Sequence, residues 1–139
     1  MEKILLTPHF TLEEMTITKT GLSNIPNVEQ TNELRKLCRD ILEPLRAGHG
    51  NAIIVNSGYR SLAVNKCVGG VPTSQHLLGQ AADIRSSVQS DIHLWTDINE
   101  LVSGGHFNVG QCIWYRKSQF IHVSLPTKTH KNQFIIKNK

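Results

Sequence analysis

Three residues carry side chains of the kind a borderline divalent metal takes: His76 and His122 offer imidazole nitrogen, and Asp83 offers a carboxylate oxygen. A catalytic site for such an ion uses three protein ligands and keeps a fourth position open for water. Asp83 lies in Ala81-Ala82-Asp83-Ile84, a short apolar run with the pattern of a buried strand. A lone carboxylate is expensive there, so the run calls for a cation, a metal or several hydrogen-bond donors around it. His122 occupies a β-prone alternation, Phe120-Ile121-His122-Val123-Ser124. Two neighbouring strands would aim Asp83 and His122 at one point, with His76 reaching in from the loop before Gly79. For His122 taken alone, a hydrogen-bonded strand histidine is the plainer reading.

The surrounding motifs raise the signal. Asn56-Ser57-Gly58-Tyr59-Arg60-Ser61, Asn65, Val68-Gly69-Gly70, Ser74-Gln75-His76 through Asp83, and His122-Val123-Ser124 follow one another along the chain. In that order they resemble the zinc D-alanyl-D-alanine peptidases, peptidoglycan carboxypeptidases and endopeptidases that share a fold with the hedgehog signalling domain. Phe10-Thr11-Leu12-Glu13-Glu14 and Asn24-Ile25-Pro26 extend the likeness toward the start of the chain.

The resemblance implies that His76, Asp83 and His122 bind Zn2+ and that Arg60 binds a substrate carboxylate. A planar guanidinium fork suits that task because it pairs bidentately with a carboxylate. Ser74 and Gln75 are expected beside the substrate, ordering the loop next to the metal. The implied chemistry is metal-assisted amide hydrolysis, with a carboxylate taking the proton of the attacking water and passing it to the departing amine. In the family an Asp or Glu commonly stands three residues before the last zinc histidine, whereas this chain has Gln119. An amide cannot act as that base, so Gln119 is expected to orient water or hold a substrate amide. Asp97 and Glu100 are acidic alternatives, but both fall on the polar face of a predicted helix.

Composition sets wider bounds. A chain of 139 residues suits one domain with a real core. The formal charge of +4 fits attraction to an anionic wall polymer and equally to nucleic acid, so it does not choose between them. Three cysteines, Cys38, Cys67 and Cys112, are odd in number and lack a Cys-x-x-Cys spacing, which suggests neither a disulfide framework nor a zinc knuckle. Cys38 and Cys112 fall at apolar positions and are expected as buried thiols. No secretory signal or membrane span is legible. The expected partner is a peptidoglycan stem peptide, with no nucleic acid, no membrane insertion and a monomeric state. The expected location is the cytoplasm until release to the wall, as for a phage-type lysin.

The element pattern predicts an α+β fold, a small central antiparallel sheet with helices packed on it. Thr11-Leu12-Glu13-Glu14 has the form of a capped helix start. From Val28 to Arg46, Leu34, Leu37, Cys38, Ile41, Leu42 and Leu45 keep the three-and-four spacing of one apolar helix face. Ala52 to Asn56 forms a β-branched run, so Arg60 sits just past a strand end. Ser61 to Cys67 predicts a brief helix, and Val88 to Val102 a longer one with Ile92, Trp95, Ile98 and Val102 inward. Gly110 to Tyr115 and Phe120 to Leu125 predict a hairpin. A single peptidase-like domain is expected over residues 1–127, with a loosely attached basic tail over 128–139.

His9, His49 and His130 stand near turns or termini and are expected in solvent. His106, after Gly104-Gly105, is a weaker candidate for the cleft. The alternative to an enzyme is a non-catalytic domain that keeps the cleft and binds peptidoglycan or a protein.

Overall fold

The computed structural model describes residues 3–139. Two short strands, β1 (Leu5–Thr7) and β2 (Phe10–Thr11), lead into α1 (Leu12–Met15). The Thr11 side chain accepts from the Glu14 N–H while the Glu14 carboxylate accepts from the Thr11 N–H, the capping box expected from the sequence. A second capping box, Asn27 with Gln30, starts α2 (Val28–Leu37). This helix runs through a π-helical turn, Cys38–Leu42, into α3 (Glu43–His49). The apolar stripe read from the sequence is its buried face: Leu34, Leu37, Cys38, Ile41, Leu42 and Leu45 are all fully buried. Burial pushes the Cys38 thiol up to about 12, with the Glu43 and Glu14 charges adding to it, so it stays an inert core side chain.

After β3 (Ile53–Ser57), α4 (Leu62–Cys67) and a 3₁₀ turn (Gln75–Leu78) come β4 (Ala81–Ser86), α5 (Asp91–Ser103), β5 (Gln111–Tyr115), β6 (Phe120–Ser124) and β7 (Gln133–Lys137). The main sheet has the order β3-β4-β6-β5-β7. All its pairings are antiparallel except β5 with β7, so the α+β fold carries a mixed sheet. Alternation along the strands separates two faces. Ala82, Ile84, Cys112, Ile121 and Val123 join the helix-covered core. Asp83, Ile113, Tyr115, Phe120 and His122 line a cleft on the opposite face.

Three expectations are corrected. The helix near residue 90 starts at Asp91 because Ser90 caps it, accepting from the His93 N–H. Its inward residues are Leu94 and Ile98, with Trp95, Leu101 and Val102 packed at the margin, while Ile92 stays exposed. His49 is buried instead of exposed: Nδ1 lies 2.7 Å from Asp97 Oδ2 and Nε2 lies 2.7 Å from Ser86 Oγ. The Ser86 oxygen also accepts the Gln89 N–H at 3.0 Å. The Asp97 carboxylate can only accept, so the His49 Nδ1–H donates to it, and in the neutral ring Nε2 accepts the Ser86 hydroxyl proton. This satisfied network ties α3, β4 and α5 together and brings Asp97 in from the solvent face.

The third correction concerns residues 128–139, which do not form a loose tail. Gln133-Phe134-Ile135-Ile136-Lys137 is itself a β-prone run, and it pairs with β5 from Gln111↔Gln133 to Tyr115↔Lys137. Phe134 packs edge-on against Trp95, with ring centroids 5.7 Å apart, and Trp95 in turn meets Trp114 at 5.8 Å. Deleting residues 128–139 is expected to cost about 3 kcal/mol or more through lost apolar burial, lowering the melting temperature by roughly 10 °C. Urea unfolding of the truncated and full chains tests this, and superimposable curves would show that β7 adds nothing to the fold.

Candidate metal centre

The cluster is assembled from the middle of the sheet and one loop. Asp83 and His122 are direct cross-strand partners on β4 and β6, so their side chains leave the same face side by side. Asp83 Oδ1 lies 3.0 Å from His122 Nδ1 and 3.2 Å from His76 Nε2. His76 reaches the point because the 3₁₀ turn is tied at both ends. Ser74 Oγ caps it by accepting from the His76 N–H, and Gly79 closes it in the left-handed region at φ 75°. A side chain at Gly79 would also meet the Gln30 carbonyl at 2.5 Å, which makes glycine the only fit.

The donor set fits a metal ion. Each residue presents one ligand atom, and the three atoms lie within 4.8 Å of one another. Their separations of 3.0 and 3.2 Å to the shared oxygen approach the ligand–ligand edge of about 3.3 Å around a tetrahedral ion with N and O ligands. His76 Nδ1 is 2.7 Å from the Gly58 carbonyl, which accepts its proton. In the neutral ring Nε2 then turns a lone pair toward the lone pairs of Asp83. A cation between them resolves that opposition, and the Gly58 carbonyl is the kind of outer partner that fixes a ligating histidine's tautomer.

Asp83 is buried, 7% exposed as a residue. Burial acts to raise its pKa, but the hydrogen bonds and charges of His122 and His76 outweigh it and hold the group well below the usual carboxylate range. Its second oxygen is held by Arg60, whose Nη2 donates at 3.0 Å. Arg60 also donates from Nε to Ser57 Oγ at 3.0 Å and from Nη1 to Asn65 Oδ1 at 3.4 Å. Two of the five guanidinium protons, one on each Nη, are left over from these bonds, and Arg60 lines the cleft. Arg60 therefore orients a metal-ligand candidate and keeps a fork for an anion. Asn65, buried beside it, latches the glycine loop by donating to the Val71 carbonyl at 3.0 Å.

Ser74 and Gln75 line the same cleft. Gln75 Nε2 is spent on Gln80 Oε1 at 3.3 Å and the Leu125 carbonyl at 3.2 Å, so its visible work is bracing the loop. Gln119 does not join the cluster. It is exposed in the turn between β5 and β6, with φ 62°, and lines a separate depression with Trp114, Arg116 and Asp91. Gln119 closes the turn one residue before β6 begins, and its left-handed backbone takes the side chain away from the cleft face that Phe120 and His122 share. His106 is exposed and outside the cleft lining.

The cleft, about 960 Å³, also receives Tyr115, His130, Lys137 and Lys139, none of which sequence reasoning placed there. The Tyr115 phenol is pushed up by burial and by the Asp83 charge, with Arg60 opposing. Asp83 is the only carboxylate side chain in the lining among the described residues.

The mixed sheet thus carries two histidines, one aspartate and an arginine in one cleft, an arrangement that could hold a metal ion. The sequence profile of the peptidase M15 family matches residues 8–124, a span that holds Arg60 and all three ligand candidates. The chain belongs to the peptidase M15 family. No curated protein matches it.

A side chain at Gly58 would meet the Met15 carbonyl at 2.3 Å, so Gly58→Ala must displace the strand end that carries the His76 acceptor. It is expected to lower stability by about 1–3 kcal/mol and to weaken binding of a divalent ion roughly tenfold or more. Cobalt(II) titration followed by absorbance would measure the second effect, and unchanged affinity would remove Gly58 from the support of the site.

Proposed function

We propose that the protein is a zinc-dependent peptidase acting on peptidoglycan stem peptides, trimming a terminal D-alanine or cutting an internal bond that involves a D-residue. The observation that carries this reading is the convergence, in one cleft, of His76, Asp83 and His122 with the two unspent guanidinium protons of Arg60. Zinc is the ion of choice for two imidazoles and one carboxylate with an open fourth position, and when bound it lowers the pKa of water and polarises a carbonyl. Asp83 and the two histidines hold the ion, and the Gly58 carbonyl and Arg60 hold them. Arg60 anchors the substrate's carboxylate, which fixes where the scissile amide lies relative to the ligands.

The substrate is extended and anionic, in keeping with the cationic side chains of the cleft, Arg60, Lys137 and Lys139. Among the described residues, no helix is long and apolar enough to cross a membrane. The protein works as a monomer on the wall, in the manner of a phage lysin. A second reading, a wall-binding domain without turnover, draws on one observation: among the described residues, the lining has no carboxylate side chain besides Asp83.

One zinc per chain is expected, falling to none in His122→Ala, as measured by elemental analysis after reconstitution. At a hundredfold excess over Kd, zinc should stabilise the wild type by about 2.7 kcal/mol. Acid should release it, because the ligands bind the ion only when deprotonated.

Purified protein with zinc is expected to release D-alanine or a stem-peptide fragment from muropeptides, and His76→Ala should abolish release. Arg60→Ala, assayed at saturating zinc, should raise KM for carboxylate-ended substrates roughly 10- to 100-fold, the equivalent of about 1.5–3 kcal/mol for a charged hydrogen bond. A zinc-loaded wild type that sediments with wall material but yields no product would establish the binding domain instead.

A further inference from the structure

The strands of the main sheet run in the order β3-β4-β6-β5-β7. Arg60 enters the cleft from the chain just past β3 and Lys137 enters it from β7, so the two cations stand at opposite edges of the sheet, with Asp83 on β4 and His122 on β6 between them. Lys137 faces the cleft by alternation: Phe134 on the same strand packs against the core, and residues 133, 135 and 137 take the other face. It lies beyond the family match, which ends at residue 124.

The Lys137 side chain is held in place. Its residue is the ladder partner of Tyr115, and Tyr115 is the ladder partner of Phe120. The Tyr115 ring stacks on Phe120, with centroids 4.7 Å apart and planes 21° apart, and Lys137 Nζ stands 5.7 Å from the centroid of the same tyrosine ring. A cation over an aromatic ring is attracted by the negative face of its π system. Lys137 has no acid to neutralise it. It makes no ion pair among the described residues, and Asp83, the one carboxylate side chain in the lining among those residues, is engaged by Arg60. The charge is left for an anion that enters the cleft.

The register gives the spacing. Lys137 is two strands across from His122 and two residues along, by way of Ile113 and Tyr115. With strands about 4.8 Å apart and a rise of about 3.3 Å per residue, the two backbones are about 12 Å apart, the length of roughly three to four residues of extended peptide. The ammonium leans back over β5, which brings the span to about three residues.

We infer that Lys137, braced on Tyr115, is a second carboxylate subsite of the cleft, selecting peptides that carry an acidic group about three residues from the scissile bond, on the side opposite the carboxylate held by Arg60. The inference rests on the peptidase reading above, which sets where the scissile bond lies. The substrate class it names is a peptide with a carboxylate on each side of that bond, as against one whose inner carboxylate is capped as an amide. An ammonium is a point charge, so it separates the two by charge.

The test uses two synthetic wall peptides ending in D-alanine, identical except that the third residue from the scissile bond carries a free carboxylate in one and a carboxamide in the other. Zinc-loaded wild type is expected to prefer the carboxylate peptide about tenfold in kcat/KM, the low end for a charged hydrogen bond because the cleft is open to solvent. Added salt should shrink the preference. Lys137→Met should bring the ratio to about one with one zinc still bound, and Lys137→Arg should keep it. Lys36→Met, which removes the same charge from the exposed side of α2, behind the sheet, should match the wild type. Equilibrium binding of both peptides to each variant, read by calorimetry, gives the same comparison without turnover. A wild type that cuts the two peptides equally, or a preference that survives Lys137→Met, would overturn the subsite and leave the peptidase reading intact. A wild type that cuts neither peptide but binds the carboxylate form more tightly, with the margin lost in Lys137→Met, would sink the peptidase reading and keep Lys137 as the anion site of a wall-binding domain. A wild type that neither cuts nor binds them would overturn both.

Discussion

The whole arrangement depends on one carboxylate placed inside a hydrophobic sheet. Asp83 stands between Ala82 and Ile84, both fully buried, in a strand flanked on both sides by others. Leaving that group unpaired would cost several kcal/mol. Its two oxygens are instead divided between opposite kinds of partner, one facing the imidazoles and one facing a guanidinium. The division forces the rest: β6 must sit beside β4 to bring His122, the 3₁₀ turn must fold over the sheet to bring His76, and the end of β3 must bend to bring Arg60. The pairing of β3 with β4 shifts register between Val55 and Ser57, where that bend begins.

Segment 58–60 shows how closely these demands are linked. The Gly58 carbonyl fixes the His76 ring, the Tyr59 N–H donates to the Met15 carbonyl at 2.8 Å, and the Arg60 N–H donates to the His76 carbonyl at 3.0 Å. Three consecutive residues thus tie the N-terminal helix, the turn bearing His76 and the Arg60 side chain to one another. The glycine is required there by the closeness of the Met15 backbone, not by an unusual dihedral angle. A site supported this way resists small displacements, because moving any one of the three residues disturbs the other two attachments.

Much of this was legible in the sequence, for physical reasons that differ from residue to residue. The Val28–Arg46 stripe and the Thr11 cap follow from local periodicity and hydrogen bonding, and both stand in the structure. Asp83 announced itself as a charge in an apolar run. What was missed depended on which way a strand faces or on pairing at long range. Gln119 escaped because its left-handed backbone in the turn before β6 carries no signature in the sequence. His49 looked exposed at a helix end because its partners, Ser86 and Asp97, lie far along the chain. The run Gln133–Lys137 had strand chemistry, but its basic neighbours drew attention to charge rather than to the alternation.

That last strand changes how the cleft is put together. The family match ends at residue 124, and the sheet without β7 already holds the metal-ligand candidates and Arg60. The residues that follow cross back past the open end of β5, contribute Thr127, Thr129 and His130 to one wall of the cleft, and then pair along β5 to place Lys137 with its Nζ 5.7 Å from the Tyr115 ring. A parallel partner strand needs a connection that returns to the same end of the sheet; β6 makes that return, and the loop bearing His130 then steps across the start of β5 to reach β7. The pairing that buries Phe134 against Trp95 on the core face therefore also fixes polar groups on the cleft face. In this chain the sheet edge and part of the cleft lining are one construction, so the segment that completes the fold also sets which polar groups share the cleft with the cluster.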